Sequence, residues 1–148
     1  MLFRSASAAL SPTFQEMLAP LRVIHSAGRA YGTKGVFARE TERRTMQIIV
    51  SEEADKTHTH PLVRTHPVTG AKALFVSPVY TLGIEGLTPA ESQAILGFLF
   101  GHMTQPEFIF RHRWARDTLL IWDNRPPVPP APRGQHAPPR PLRPPPRP

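Results

Sequence analysis

From Pro126 to Pro148, twelve of 23 residues are proline. Proline fixes φ and has no backbone N–H, so this stretch can continue neither a helix nor a sheet. It is predicted to be a disordered or polyproline-like tail. Folded structure is thereby confined to residues 1–125, one domain at most by length. The tail also holds Arg133, Arg140, Arg143 and Arg147 and no acid, so of the net charge of +7 only +3 belongs to the body, with 14 basic against 11 acidic residues. That body is close to an ordinary soluble domain and gives no ground for a nucleic-acid partner. No apolar run reaches the ~18 residues that would suggest a membrane span, so no membrane partner is expected and the chain is placed in the cytoplasm. With no cysteine, disulfides and thiolate metal sites are excluded.

Within the body, local signals are clearest in two places. Thr88-Pro89-Ala90-Glu91 is a capping-box pattern with proline at the first helical position. Ile95, Leu96, Leu99, Phe100 and Met103 supply the apolar stripe of the helix that follows, and Pro106 marks its end. Leu62–Thr65 and Lys72–Val76 flank Pro67-Val68-Thr69-Gly70, two β-prone runs around a turn, and read as a hairpin. Nearer the start, Ser11-Pro12 fits a helix cap, and Phe14, Met17, Leu18 and Leu21 recur on one helical face. Residues 28–35 read as a linker. Phe108–Trp114 and Thr118–Trp122 read as two further strands, the second so apolar that it should be buried on both faces. Met1–Leu10, with one arginine, serines, alanines and no acid, has some transit-peptide character, but the plainer reading is the first turns of a helix.

The sharpest candidate for metal chemistry is His58-Thr59-His60. Histidines two apart on a strand share a face and could share an ion, with His66, Glu52, Glu53 or Asp55 completing the set. No glycine-rich phosphate loop, Gly-x-Ser-x-Gly elbow or nucleophilic cysteine accompanies them.

An ordered series of motifs points more firmly. His60-Pro61-Leu62-Val63-Arg64-Thr65-His66-Pro67-Val68-Thr69-Gly70 leads to Ala73-Leu74-Phe75-Val76, then Ile84-Glu85-Gly86-Leu87-Thr88-Pro89-Ala90-Glu91-Ser92. Phe98-Leu99-Phe100-Gly101-His102, Pro106-Glu107-Phe108, Arg111-His112-Arg113-Trp114 and Ile121-Trp122-Asp123-Asn124-Arg125 follow in register; Ala9–Pro12 and Leu21–Ser26 match upstream. Over about residues 5–125 the chain resembles the C-terminal half of the taurine dioxygenase family, which depends on Fe(II) and 2-oxoglutarate. The resemblance implies a partial double-stranded β-helix, or jelly roll: mainly β with helices, followed by the Pro/Arg-rich tail. It implies oxidative hydroxylation of a small, often anionic substrate.

The same resemblance implies which residues would serve. His60 and His66 fall in motifs that are not iron ligands, which makes a structural reading of the histidine set the better one. The family's His-x-Asp stands upstream of the segment matched. Its distal iron histidine stands four positions after Arg125, where this chain has Pro129, which carries no ligand atom. The 2-oxoglutarate arginine falls, by an ungapped count, on Arg140. Tyr31 and Tyr80 fall on pocket aromatics, and Ala30 stands where taurine-using members have a serine. The expectation is a chain that binds neither Fe(II) nor 2-oxoglutarate by itself, an inactive fragment. The proline-rich tail then has two readings. It is the product of a shifted reading frame in a GC-rich gene, or it is an interaction segment. In the second case Pro126-Pro127-Val128-Pro129 and Pro141-Leu142-Arg143-Pro144 would offer polyproline helix to a groove-bearing partner.

Overall fold

The computed structural model of the chain describes residues 2–39, 48–109, 112–119 and 121. The tail, with Arg140 and Pro129, lies outside the described residues. So do Asp123 and Asn124.

The chain opens with helix α1 (Leu2–Ala8), as the plainer reading of the start expected, and α2 (Pro12–Leu18). Ser11 caps α2, its Oγ accepting from the Phe14 N–H at 3.4 Å. The helix stops at Leu18, so its face is shorter than the spacing suggested: Leu18 is buried, Phe14 packs on the core and Met17 is exposed. The chain then enters β1 (Arg22–Ser26), the central strand of a three-stranded sheet. Its neighbours, β2 (Thr57–Pro61) and β5 (Thr81–Ile84), are both antiparallel to it. Val23 lies opposite His60 and Ile84, and the β5 register shifts between Ile24 and His25. A bulge of this kind re-aims the side chain beside it, here His25.

Residues 28–35 are not a plain linker. Gly28–Tyr31 form a short helix, α3, and Val36–Arg39 form α4. Hydrogen bonds from Gly32 N to Gly28 O and from Gly35 N to Gly32 O fold the stretch between them. A 3-10 turn, Glu52–Asp55, precedes β2.

The predicted hairpin is present as β3 (Val63–Thr65) against β4 (Lys72–Leu74). His66 forms the turn: its Nδ1 accepts from the N–H groups of Val68 and Thr69, both at 3.2 Å. Gly70 takes φ +67° there, a left-handed conformation that costs glycine little and other residues more. Leu62 is the single residue between β2 and β3. It is fully buried, donates to Leu21 O at 2.9 Å and accepts from Phe75 N at 2.7 Å, so it joins the sheet to the hairpin.

Helix α5 (Pro89–Met103) begins as its sequence dictates. Thr88 Oγ1 accepts from Glu91 N, and Glu91 Oε2 accepts from Thr88 N at 2.8 Å and from its hydroxyl at 2.7 Å, which holds the Glu91 carboxyl below the usual carboxylate range. Leu96, Leu99 and Met103 are buried, and Ser92 Oγ accepts from Ile84 N at 3.1 Å, fastening α5 to β5. His102 donates to Ala6 O at 2.8 Å and ties α5 to α1. The core is the apolar seam these elements share: Ala6, Leu10, Leu18, Val23, Leu62, Leu74, Val76, Ile84, Leu96, Leu99 and Met103.

The two strands expected after α5 do not form among the described residues. Pro106–Phe108 is a 3-10 turn. Leu119 and Ile121 are each 82% exposed. Their apolar character predicts burial, but among the described residues no strand runs beside them to supply it.

Candidate functional site

The end of β1 organises a small polar and aromatic centre. Ser26 closes the strand. Its N–H donates to Tyr80 O at 2.9 Å, its Oγ donates to Ala54 O at 2.9 Å, and the same oxygen accepts from Gly28 N at 3.0 Å. One residue thus joins the loop that carries Tyr80, the 3-10 turn and the start of α3. Helix α3 carries Tyr31, whose carbonyl accepts from Ser51 N at 3.0 Å and whose ring lies 5.0 Å from that of Phe37.

Tyr31 and Tyr80, 49 positions apart in sequence, come close enough for their phenol groups to interact electrostatically. Partial burial and then the Tyr31 phenol push the Tyr80 hydroxyl above its ordinary pKa. Ala30, the neighbour expected where a serine would serve a sulfonate, is buried in α3 and carries no hydroxyl.

A second group of side chains underlies Tyr80. Thr81 is buried; its Oγ1 accepts from Ser77 N at 2.9 Å and lies 2.9 Å from His25 Nε2. The Phe75 backbone acts on the same ring in the direction of the protonated form, more weakly than burial or His60 acts against it. The Thr81 hydroxyl donates to a bare Nε2 or accepts from a protonated one, according to the tautomer of His25. Burial, then the nearby His60, lower the His25 pKa from 6.5 to about 4, so the ring is neutral near neutral pH. The rings of His25, His60 and Phe75 pack mutually at 5.3–5.4 Å, and the Arg64 guanidinium lies 4.5 Å from the Phe75 centroid. Desolvation, then Arg64, His58 and Arg22, depress the His60 pKa.

The candidate metal set is dispersed by this arrangement. His58 stands opposite His25 on β2, His60 packs in the ring cluster and His66 holds the hairpin turn. Glu53 pairs with Lys56 at 2.7 Å, and Asp55 lies against Gly28 and Gly32. Among the described residues no three His, Cys, Asp or Glu side chains gather where they could hold a metal ion. The described residues therefore do not fit the iron that the resemblance implies. His25 was legible only as part of a matching motif, and Asp55 only as a possible ligand. For neither did the sequence carry a signal of its actual neighbours.

Known proteins give this geometry its context. Among curated proteins, the chain is 39% identical over 121 residues to the alpha-ketoglutarate-dependent dioxygenase cnsP of Penicillium expansum, covering 81% of this chain and 30% of that protein. It is 48% identical over 65 residues to the alpha-ketoglutarate-dependent 2,4-dichlorophenoxyacetate dioxygenase of Cupriavidus pinatubonensis, covering 44% of this chain and 22% of the relative. The crystal structure of a taurine dioxygenase from Burkholderia xenovorans superposes with a TM-score of 0.54 at 31% identity, over 76% of this chain and 32% of the other. Structural neighbours of this type have the jelly-roll fold, and the sheet and hairpin described above are part of it. The chain thus spans a third or less of the length of these relatives. The family model for taurine catabolism dioxygenase TauD, TfdA matches residues 3–126, and the chain belongs to that family.

Proposed function

We propose that residues 1–125 form the substrate-facing portion of an alpha-ketoglutarate-dependent dioxygenase, with Tyr31 and Tyr80 as one wall of the substrate pocket. The observation that carries this reading is the meeting of these two phenols at the end of β1, at the positions where the family resemblance places pocket aromatics. Two adjacent phenols offer apolar ring surface and hydroxyl donors, a combination suited to a small substrate with an anionic group. The network Ser77–Thr81–His25 fixes the backbone beside Tyr80, and Ser26 fixes its carbonyl. These residues orient; none is assigned a proton-transfer step.

The same proposal holds that residues 1–148 do not complete an iron site. Its support is the dispersal of the described histidines and carboxylates and the proline at position 129. When bound in a complete enzyme, the iron with its oxo-acid cosubstrate supplies the oxidising chemistry; this chain contributes the surface that holds the molecule to be oxidised. Isotope-labelled tyrosine gives one ring signal for each of the two tyrosines. Titration with taurine, and separately with 2,4-dichlorophenoxyacetate, should move both signals together for one of the ligands. Shifts in other parts of the protein with both tyrosines unmoved would refute the pocket.

A second reading rests on the proline content of residues 126–148. There the tail binds a partner that recognises polyproline helix, and the body is a non-catalytic scaffold. Deleting residues 126–148 abolishes capture of an SH3-type domain under that reading and leaves the tyrosine signals unchanged.

A further inference from the structure

Helix α3 is only four residues long and has no side-chain cap of its own. Something else must hold it if Tyr31 is to keep one position. Gly28 opens α3 and Gly32 caps its end, and both turn a bare Cα to one side of it. Asp55 occupies that face. A Cβ built on either glycine would collide with the Asp55 Oδ1, and one on Gly28 would also lie 3.1 Å from the Asp55 Cα. Neither glycine has a left-handed φ; what each needs is space for a carboxylate, not conformational freedom. The surrounding bonds converge on the same contact. Ser26 Oγ grips Gly28 N and Ala54 O, and Ser51 N donates to Tyr31 O, so the turn that presents Asp55 is fastened to both ends of α3.

We infer that Asp55 is a positioning residue for the Tyr31–Tyr80 pair: its carboxylate, seated on the glycine face of α3, sets the orientation from which Tyr31 reaches Tyr80. Asp55 acts through the helix. The carboxylate and the bare glycine face fit one another sterically. An alanine at Gly32 displaces the carboxylate, and loss of the carboxylate leaves an unfilled groove along α3. The inference rests on the pocket reading only for what the pair is used for; the geometry stands without it.

The test follows the ring signals of the two tyrosines through alkaline titration, assigned with Tyr31→Phe, in the full chain and in Asp55→Ala, Asp55→Asn and Gly32→Ala. In the full chain the Tyr80 phenol titrates above the ordinary tyrosine value of about 10. In Asp55→Ala and Gly32→Ala it moves back towards that value as the interaction with Tyr31 is lost. Glu53→Ala, on the same turn, leaves it in place. A Tyr80 titration unchanged in folded Asp55→Ala and Gly32→Ala overturns the inference. If all three variants are unfolded at neutral pH, Asp55 serves the whole fold rather than the pair, and the inference also falls. Should Tyr80 shift in the variants while neither taurine nor 2,4-dichlorophenoxyacetate moves the rings of the full chain, the positioning role stands and the pocket reading is lost.

Discussion

Acidifying a solution of this protein from about pH 7 to about pH 4 is expected to remove ~1–2 kcal/mol of stability through His25 alone. Its pKa falls from 6.5 to about 4 on folding, first because the ring is partly buried and then because His60 is close. Above pH 6.5 the ring is neutral in both states, so the contribution is fully present. Between 6.5 and about 4 the unfolded chain takes up a proton that the folded chain refuses. Stability therefore falls as pH falls through that window, and the loss levels off once the folded ring also protonates. A shift of this size corresponds to ~3 kcal/mol at ~1.4 kcal/mol per unit. The residue is only partly buried, and screening reduces the figure to the range given. His60, shifted in the same direction, adds to the effect with the same sign. The assay is the urea midpoint as a function of pH, compared between the native chain and His25→Gln, which keeps a donor and an acceptor but cannot titrate. The native curve should drop more steeply than the variant's between pH 6.5 and 4. Parallel curves, or a His25 ring that titrates near 6.5 in the folded protein, would refute the reasoning.

Three substitutions probe the rest of the fold. Leu99→Ala, at a fully buried position of α5, should cost ~3 kcal/mol in urea unfolding by leaving a cavity. Thr88→Ala should cost about 1 kcal/mol by removing the cap, Thr88→Ser should recover most of it, and thermal melting reads both. Gly70→Ala forces a side chain into a positive φ and should lower the unfolding free energy by about 1–2 kcal/mol; a smaller loss would show that the His66-capped turn relaxes freely.

What could be read from the sequence divides along the range of the interactions. The α5 start lies within four consecutive residues, Thr88 to Glu91, and the β3–β4 turn within five, His66 to Gly70, so both were legible. Strand β1 was visible as a motif but not as the centre of a sheet. Its partners lie around residues 57–61 and 81–84, and nothing local announces them. Gly28 and Gly32 suggested a linker because glycine is common there. Their spacing makes sense only once Asp55, 23 residues beyond Gly32, is placed against them. The apolar run at 118–122 misled in the opposite direction: hydrophobicity reports a tendency to be covered, and Leu119 and Ile121 are exposed. For the site, the tyrosines came from the family resemblance, whereas His25 and Asp55 emerged from the structure. Of the histidines weighed as ligands, His60 packs among rings and His66 forms a turn.

The central claim is that this chain carries a dioxygenase's substrate-facing portion without a completed iron site. Its most direct test is an anaerobic titration of residues 1–148 with Fe(II) in the presence of 2-oxoglutarate, followed by calorimetry and by the visible charge-transfer absorption that the chelated pair produces. No saturable stoichiometric binding and no absorption band are expected. One-to-one binding of both, with the band present, would contradict it and would require iron ligands that the described histidines and carboxylates do not supply.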